Sequence, residues 1–86
     1  MNDLEKPRII LPVNPANSYG WSTTIEDLEI GYILFIGSDR NVQEESVENI
    51  VYDNGLNSYE VHTDKSVLLC HRMTRINYSH YRSCLN

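Results

Sequence analysis

Four side chains that can bind a soft or borderline metal fall within fifteen residues near the C-terminus: Cys70, His71, His80 and Cys84, with His62 upstream. Zinc requires four such ligands converging on a tetrahedron, and His80 with Cys84 has finger-like spacing. Cys70 and His71 are neighbours, however, and on a strand they point to opposite faces. The expectation is therefore a buried Cys70 behaving as a small hydrophobe, surface histidines, and no metal or other cofactor.

His62, Asp64 and Ser66 form a second cluster of reactive types. A nucleophilic triad needs a Ser–His hydrogen bond and a carboxylate on the other ring nitrogen. Alternating side chains around a tight turn do not give that geometry. These residues are read as turn polarity, and no catalytic residue is expected.

Carboxylates are abundant and clustered. Glu26, Asp27 and Glu29 form one group, and Glu44, Glu45 and Glu48 another. Acid–base catalysis needs one carboxyl in an apolar pocket, whereas these runs read as solvated. Their plausible use is electrostatic. With Asp39, Asp53, Glu60 and Asp64 they make a negative surface suited to an arginine-rich groove that normally holds nucleic acid.

The C-terminal stretch has the opposite character. Arg72, Arg75, Tyr78, Tyr81 and Arg82 interleave cations with aromatics, joined by His71 and His80. Rings that stack on bases and guanidinium groups that meet phosphates are how small barrels hold single strands. Three arginines make a modest footprint for that task.

The elements that must carry these groups read as strands. Residues 1–20 form an extended arm, because Pro7, Pro12 and Pro15 break helices, while Arg8, Ile9, Ile10 and Leu11 suit an edge strand. Trp21 is expected to anchor that arm on the core. Thr23 and Thr24 stand three residues before Glu26 and Asp27, a capping-box spacing that allows one helical turn near 24–29. Tyr32 to Ile36, between Gly31 and Gly37, is a short β-branched and aromatic run, read as a strand buried on both faces near the sheet centre.

Residues 42–50 are ambiguous between helix and strand. Asn54-Gly55 is a strong hairpin signal, so 46–53 is assigned to a strand after a loop or single turn at 39–45. Tyr59, Val61 and Thr63 alternate with Glu60 and His62. A strand over 57–63 and another over 66–76 complete the set. Short links imply antiparallel pairing. Residues 26–33, with an acidic turn and a glycine before a long strand, resemble the entry turn of small barrels. The expected fold is mainly β: a single small domain over 21–86, an antiparallel meander of four to five strands, closing into an SH3-like or OB-like small barrel.

Size and charge narrow the function. Eighty-six residues support a single core with little room for a deep pocket. A binding face is the natural working surface, and dimerisation into a homo-oligomer would help so small a core. The formal charge is −5, and it is uneven. All twelve acids lie in residues 1–66 beside only Lys6, Arg8, Arg40 and Lys65, whereas 67–86 carry three arginines and no acid. No apolar run reaches the ~18 residues that span a bilayer, and the N-terminus shows no secretory core. A cytoplasmic protein off the membrane, with reduced thiols, is expected.

The leading expectation is a small acidic, non-enzymatic binding protein that blocks a larger basic partner, itself nucleic-acid-binding. By analogy of size and charge, phage-type inhibitors of host nucleases or defence complexes work by nucleic-acid mimicry in this way. Asp39, Glu44, Glu45, Glu48, Asp53, Glu60 and Asp64 would be the contact charges, with Tyr52, Tyr59 and Trp21 as anchors. The alternative is a small-barrel nucleic-acid or nucleotide-binding module using Arg72, Arg75, Tyr78, Tyr81 and Arg82.

Overall fold

Strands form where β-branched and aromatic residues concentrate. The computed structural model describes residues 6–11 and 17–80 and contains seven of them. They are β1 (Arg8–Ile10), β2 (Trp21–Thr24), β3 (Ile33–Ile36), β4 (Gln43–Asp53), β5 (Ser58–Thr63), β6 (Val67–His71) and β7 (Arg75–Ser79), with a 3₁₀ turn at Ile25–Asp27 between β2 and β3. They make one mixed sheet in the order β1-β6-β5-β4-β3-β7-β2. The sheet is not closed: β1 and β2 are its two edges.

This corrects the expected barrel of four to five antiparallel strands. Successive hairpins β3–β4, β4–β5 and β5–β6 are antiparallel, but β1 lies parallel to β6. The expected strand over 66–76 is two strands. Thr74 N–H donates to the His71 carbonyl (2.9 Å) and Met73 N–H to His71 Nδ1 (3.1 Å), closing a turn that has no Gly or Pro to announce it. The released strand, β7, crosses to the far side and inserts between β3 and β2. The expected loop at 39–45 is shorter, because β4 already begins at Gln43.

Strand β4 holds the two wings together. Gln43 to Ser46 pair with β3, and Val47 to Asp53 pair with β5. A bulge between Val47 and Asn49 inserts one extra residue, which bends the strand and switches the side-chain parity. Glu45 and Val47 point inward before it and Ile50 after it. Both wings therefore cover one core, built from Ile25, Leu28, Leu34, Val47, Val61, Leu68, Cys70 and Ile76. Strand β3 is buried over Ile33, Leu34 and Phe35, as its composition implies. It ends at Gly37, where φ is +112° and a side chain would meet the Asn41 carbonyl.

The arm takes part in this sheet. β1 is the edge strand that its prolines allow, held by Val67 N–H to Pro7 O (2.8 Å) and Leu11 N–H to Leu69 O (3.0 Å). The expected capping box does not form at the 3₁₀ turn. Thr24 Oγ1 donates to the Asp27 carboxylate instead, at 3.2 Å. Trp21 is not a core anchor: it is 60% exposed at the start of the edge strand β2. Among the described residues no helix is long and apolar enough to cross a membrane.

Candidate functional site

The open side of the sheet carries a cluster of four rings. Cross-strand register sets it: Trp21 lies opposite Tyr78 and Tyr78 opposite Leu34, so Trp21 and Tyr78 continue the core face outward. Two residues along each strand, Tyr32 and His80 fall on that face as well. Tyr32 and Tyr78 stack with centroids 4.5 Å apart and planes 7° apart. His80 meets both edge-on, at 5.0 and 5.4 Å. Trp21 leans on Tyr78 at 6.1 Å and on His80 at 6.0 Å.

Local backbone geometry delivers Trp21 to this place. Gly20 has φ +61°, and a Cβ there would collide with the Tyr78 carbonyl and lie 2.8 Å from the Phe35 ring. Only glycine lets the chain approach β7 so closely. Asn17 Nδ2 donates to Phe35 O (3.1 Å) and Gly37 O (2.8 Å), and Asn77 Nδ2 to Tyr19 O (2.7 Å). These bonds stitch residues 17–20 onto β3 and β7.

Two carboxylates, Glu29 and Asp27, lie within electrostatic reach of Tyr32. Tyr32 N–H donates to the Glu29 carbonyl at 3.2 Å, which closes the 29–32 turn. Partial burial pushes the Tyr32 phenol above its ordinary range, and the nearby charge of Glu29, the Tyr78 hydroxyl and Asp27 push the same way. Glu26, on the far side of the 3₁₀ turn, pairs with Arg72 at 3.5 Å.

The sequence-derived contact charges divide into four environments. Asp39 and Glu44 share a shallow recess of about 360 Å³ with Tyr19, Phe35 and Arg40, and Asp39 Oδ1 accepts from Ser18 N–H (2.7 Å) and Oγ (3.1 Å). Glu48 and Glu60 lie on the outer face of β4 and β5, paired with Lys6 (3.3 Å) and Arg8 (3.2 Å), and His62 Nε2 sits 3.2 Å from Glu60. Asp53 and Tyr52 project at the β4–β5 hairpin with exposed Val51 and Leu56, and Tyr52 packs on Tyr59 at 4.7 Å. Asp64 is exposed and accepts from Ser46 N–H at 2.9 Å.

Glu45 belongs to none of these. It is 2% exposed, opposite Leu34 on the inner face, and accepts hydrogen bonds from Thr63 Oγ1 and Ser66 Oγ. A side chain so placed is not a contact charge. The Gln-Glu-Glu run reads as solvated because nothing in it reveals the two hydroxyls that arrive from the β5–β6 turn.

The reactive clusters are dispersed. Ser66 faces Glu45, Asp64 caps Ser46 and His62 faces Glu60, so the three do not meet as a triad. Cys70 is 1% exposed, and burial pushes its thiol up to about 12, whereas His71 is exposed. Among the described residues no three His, Cys, Asp or Glu side chains converge to hold a metal. The arginine–tyrosine segment is split too. Arg75 and Tyr78 occupy opposite faces of β7, with Arg75 Nε on Ser22 Oγ at 3.0 Å, and Arg72 is paired with Glu26. Tyr81, Arg82 and Cys84 lie outside the described residues.

Sequence reasoning treated Tyr32 as core and Asp27 and Glu29 as plain solvated acids. The signal for the ring cluster was the i, i+2 spacing of Tyr32 with Leu34 and of Tyr78 with His80. Its meaning depends on the crossing of β7, which pairs those strands. No family model, curated protein or solved structure matches the chain.

Proposed function

We propose that this chain is a small acidic binding protein, without a chemical step of its own, that docks onto a larger basic partner and blocks a groove that ordinarily takes nucleic acid. The supporting observation is the pattern of charge pairing. Lys6, Arg8 and Arg72 are each held by a carboxylate, while Asp27, Glu29, Asp39 and Asp53 are exposed and, like Arg40, Lys65 and Arg75, form no ion pair among the described residues. With a chain charge of −5, the field presented to a partner is negative. The exposed Trp21 and Tyr52 supply apolar area beside those charges, as interface anchors do. The contact set is Asp39, Glu44, Glu48, Asp53, Glu60 and Asp64 with Tyr52, Tyr59 and Trp21.

The test is capture from the native host extract at low and high salt, followed by competition. The expected partner is basic and nucleic-acid-binding, its retention falls steeply between about 50 and 200 mM salt, and the chain displaces its nucleic acid. Asp39→Lys with Asp53→Lys weakens both effects. The alternative, a nucleic-acid-binding module, draws on the same ring stack. Direct retention of oligonucleotides by the purified chain, abolished by Arg72→Ala with Arg75→Ala, would replace the first reading with that one. Turnover by the purified chain would overturn both.

A further inference from the structure

We propose that the platform formed by Trp21, Tyr32, Tyr78 and His80, with Glu29 and Asp27 at its edge, is a binding site for an arginine side chain of the partner protein. This rests on the reading above and adds to its contact set a second contact centred on Trp21.

The argument starts from where the rings are. They occupy the core-facing side of β2, β7 and β3: Tyr32 and Tyr78 are half-buried and pack against the core, while Trp21 and His80 are exposed at its margin. A core face that runs out into solvent is apolar surface awaiting a partner. Trp21 is 60% exposed there, and Ile30, next to Glu29, 65%. The negative face of an aromatic ring attracts a cation, most of all a guanidinium, which also stacks flat on it.

Charge then selects among ligands. Glu29 and Asp27 are exposed, have no ion pair among the described residues, and lie close enough to the Tyr32 hydroxyl for their charge to act on it. Among the described residues, the two arginines flanking β7 do not serve the platform. Arg72 belongs to Glu26, and Arg75 leaves β7 on the opposite face. A stacked base would bring phosphate toward those carboxylates, whereas a guanidinium meets rings and carboxylates together, which is the fork geometry arginine is built for.

Trp21 is the sole tryptophan, so its emission reports on the site directly. The probes are acetyl-hexa-arginine amide, hexa-glutamate and a ten-nucleotide oligothymidine, with calorimetry as a second readout. The expected result is a saturable emission change with hexa-arginine alone. Trp21→Leu, read by calorimetry, and the pair Asp27→Asn with Glu29→Gln should each weaken binding at least about fivefold. Asn54→Ala, exposed in the β4–β5 hairpin and outside the contact set, should not. Tyr78→Leu should act like Trp21→Leu, and the exposed Trp21 variant decides the matter if the Tyr78 variant fails to fold.

Hexa-arginine binding that ignores these platform variants, or its absence in a chain that still displaces nucleic acid from the captured partner, would overturn the site and leave the function standing. Tighter quenching by oligothymidine would overturn the site and the function together.

Discussion

Thr63 Oγ1 donates to Glu45 Oε1 at 2.8 Å, and both residues are shut away from solvent where β4 bends. Ser66 Oγ donates to the same oxygen, and Thr63 Oγ1 in turn accepts from the Lys65 and Ser66 N–H groups at 3.1 and 2.9 Å. The β5–β6 turn is thereby locked to β4. A buried carboxylate stripped of a donor keeps its full desolvation cost. Thr63→Val should destabilise the fold by about 2 kcal/mol, seen as a lower urea midpoint with an unchanged slope.

Thr74 gives the opposite expectation from the same substitution. Its Oγ1 is buried, and among the described residues it has no hydrogen-bond partner. Thr74→Val removes an unsatisfied hydroxyl with little change of shape. It should raise stability by about 1 kcal/mol, measured on the same urea curves.

Gly20→Ala should cost at least about 2 kcal/mol. The positive φ is strained for alanine, and its Cβ runs into the backbone of β7, which cannot swing aside. Because Trp21 follows directly, the emission of the folded fraction should shift as well. An unchanged melting temperature would refute the close approach.

Cys70 predicts a pH dependence. Its folded pKa is pushed from 9.0 to about 12 by burial, so above pH 9 the unfolded thiol loses its proton while the native one keeps it. The native state then binds more protons, and stability falls as pH rises, by up to ~1.4 kcal/mol per pH unit across that window. In a Cys84→Ser background, Cys70→Ala should flatten the slope between pH 9 and 11 relative to the parent. Below pH 9 the thiol should also resist a disulfide reagent until denaturant is added.

The β4–β5 hairpin offers a test of backbone strain. Asn57 has φ +56°, and the residue whose glycine announced the turn, Gly55, does not have a positive φ. Asp53 Oδ1 accepts from Leu56 N–H at 3.1 Å and shapes the loop. Asn57→Ala should cost about 1–2 kcal/mol, and Gly55→Ala should stay within about 0.5 kcal/mol, by thermal unfolding.

What the residues declare alone is local. The two-residue alternation of Tyr59, Val61 and Thr63 against Glu60 and His62 was legible, as were the doubly buried β3, the edge strand at Arg8–Ile10 and the hairpin after Asp53, because each depends on neighbours in the chain. The break of residues 66–76 was not, since His71 supplies the turn with its own imidazole in place of a Gly or Pro signal. Nor was the parallel β1–β6 pair, which joins segments far apart in sequence. Tertiary structure alone made Glu45 internal, through a bulge that reverses parity and hydroxyls from a distant turn. It also drew Trp21, Tyr32, Tyr78 and His80 onto one open face. Period and composition specify which way a side chain points from its own strand; only the order of strands in the sheet decides what it points at.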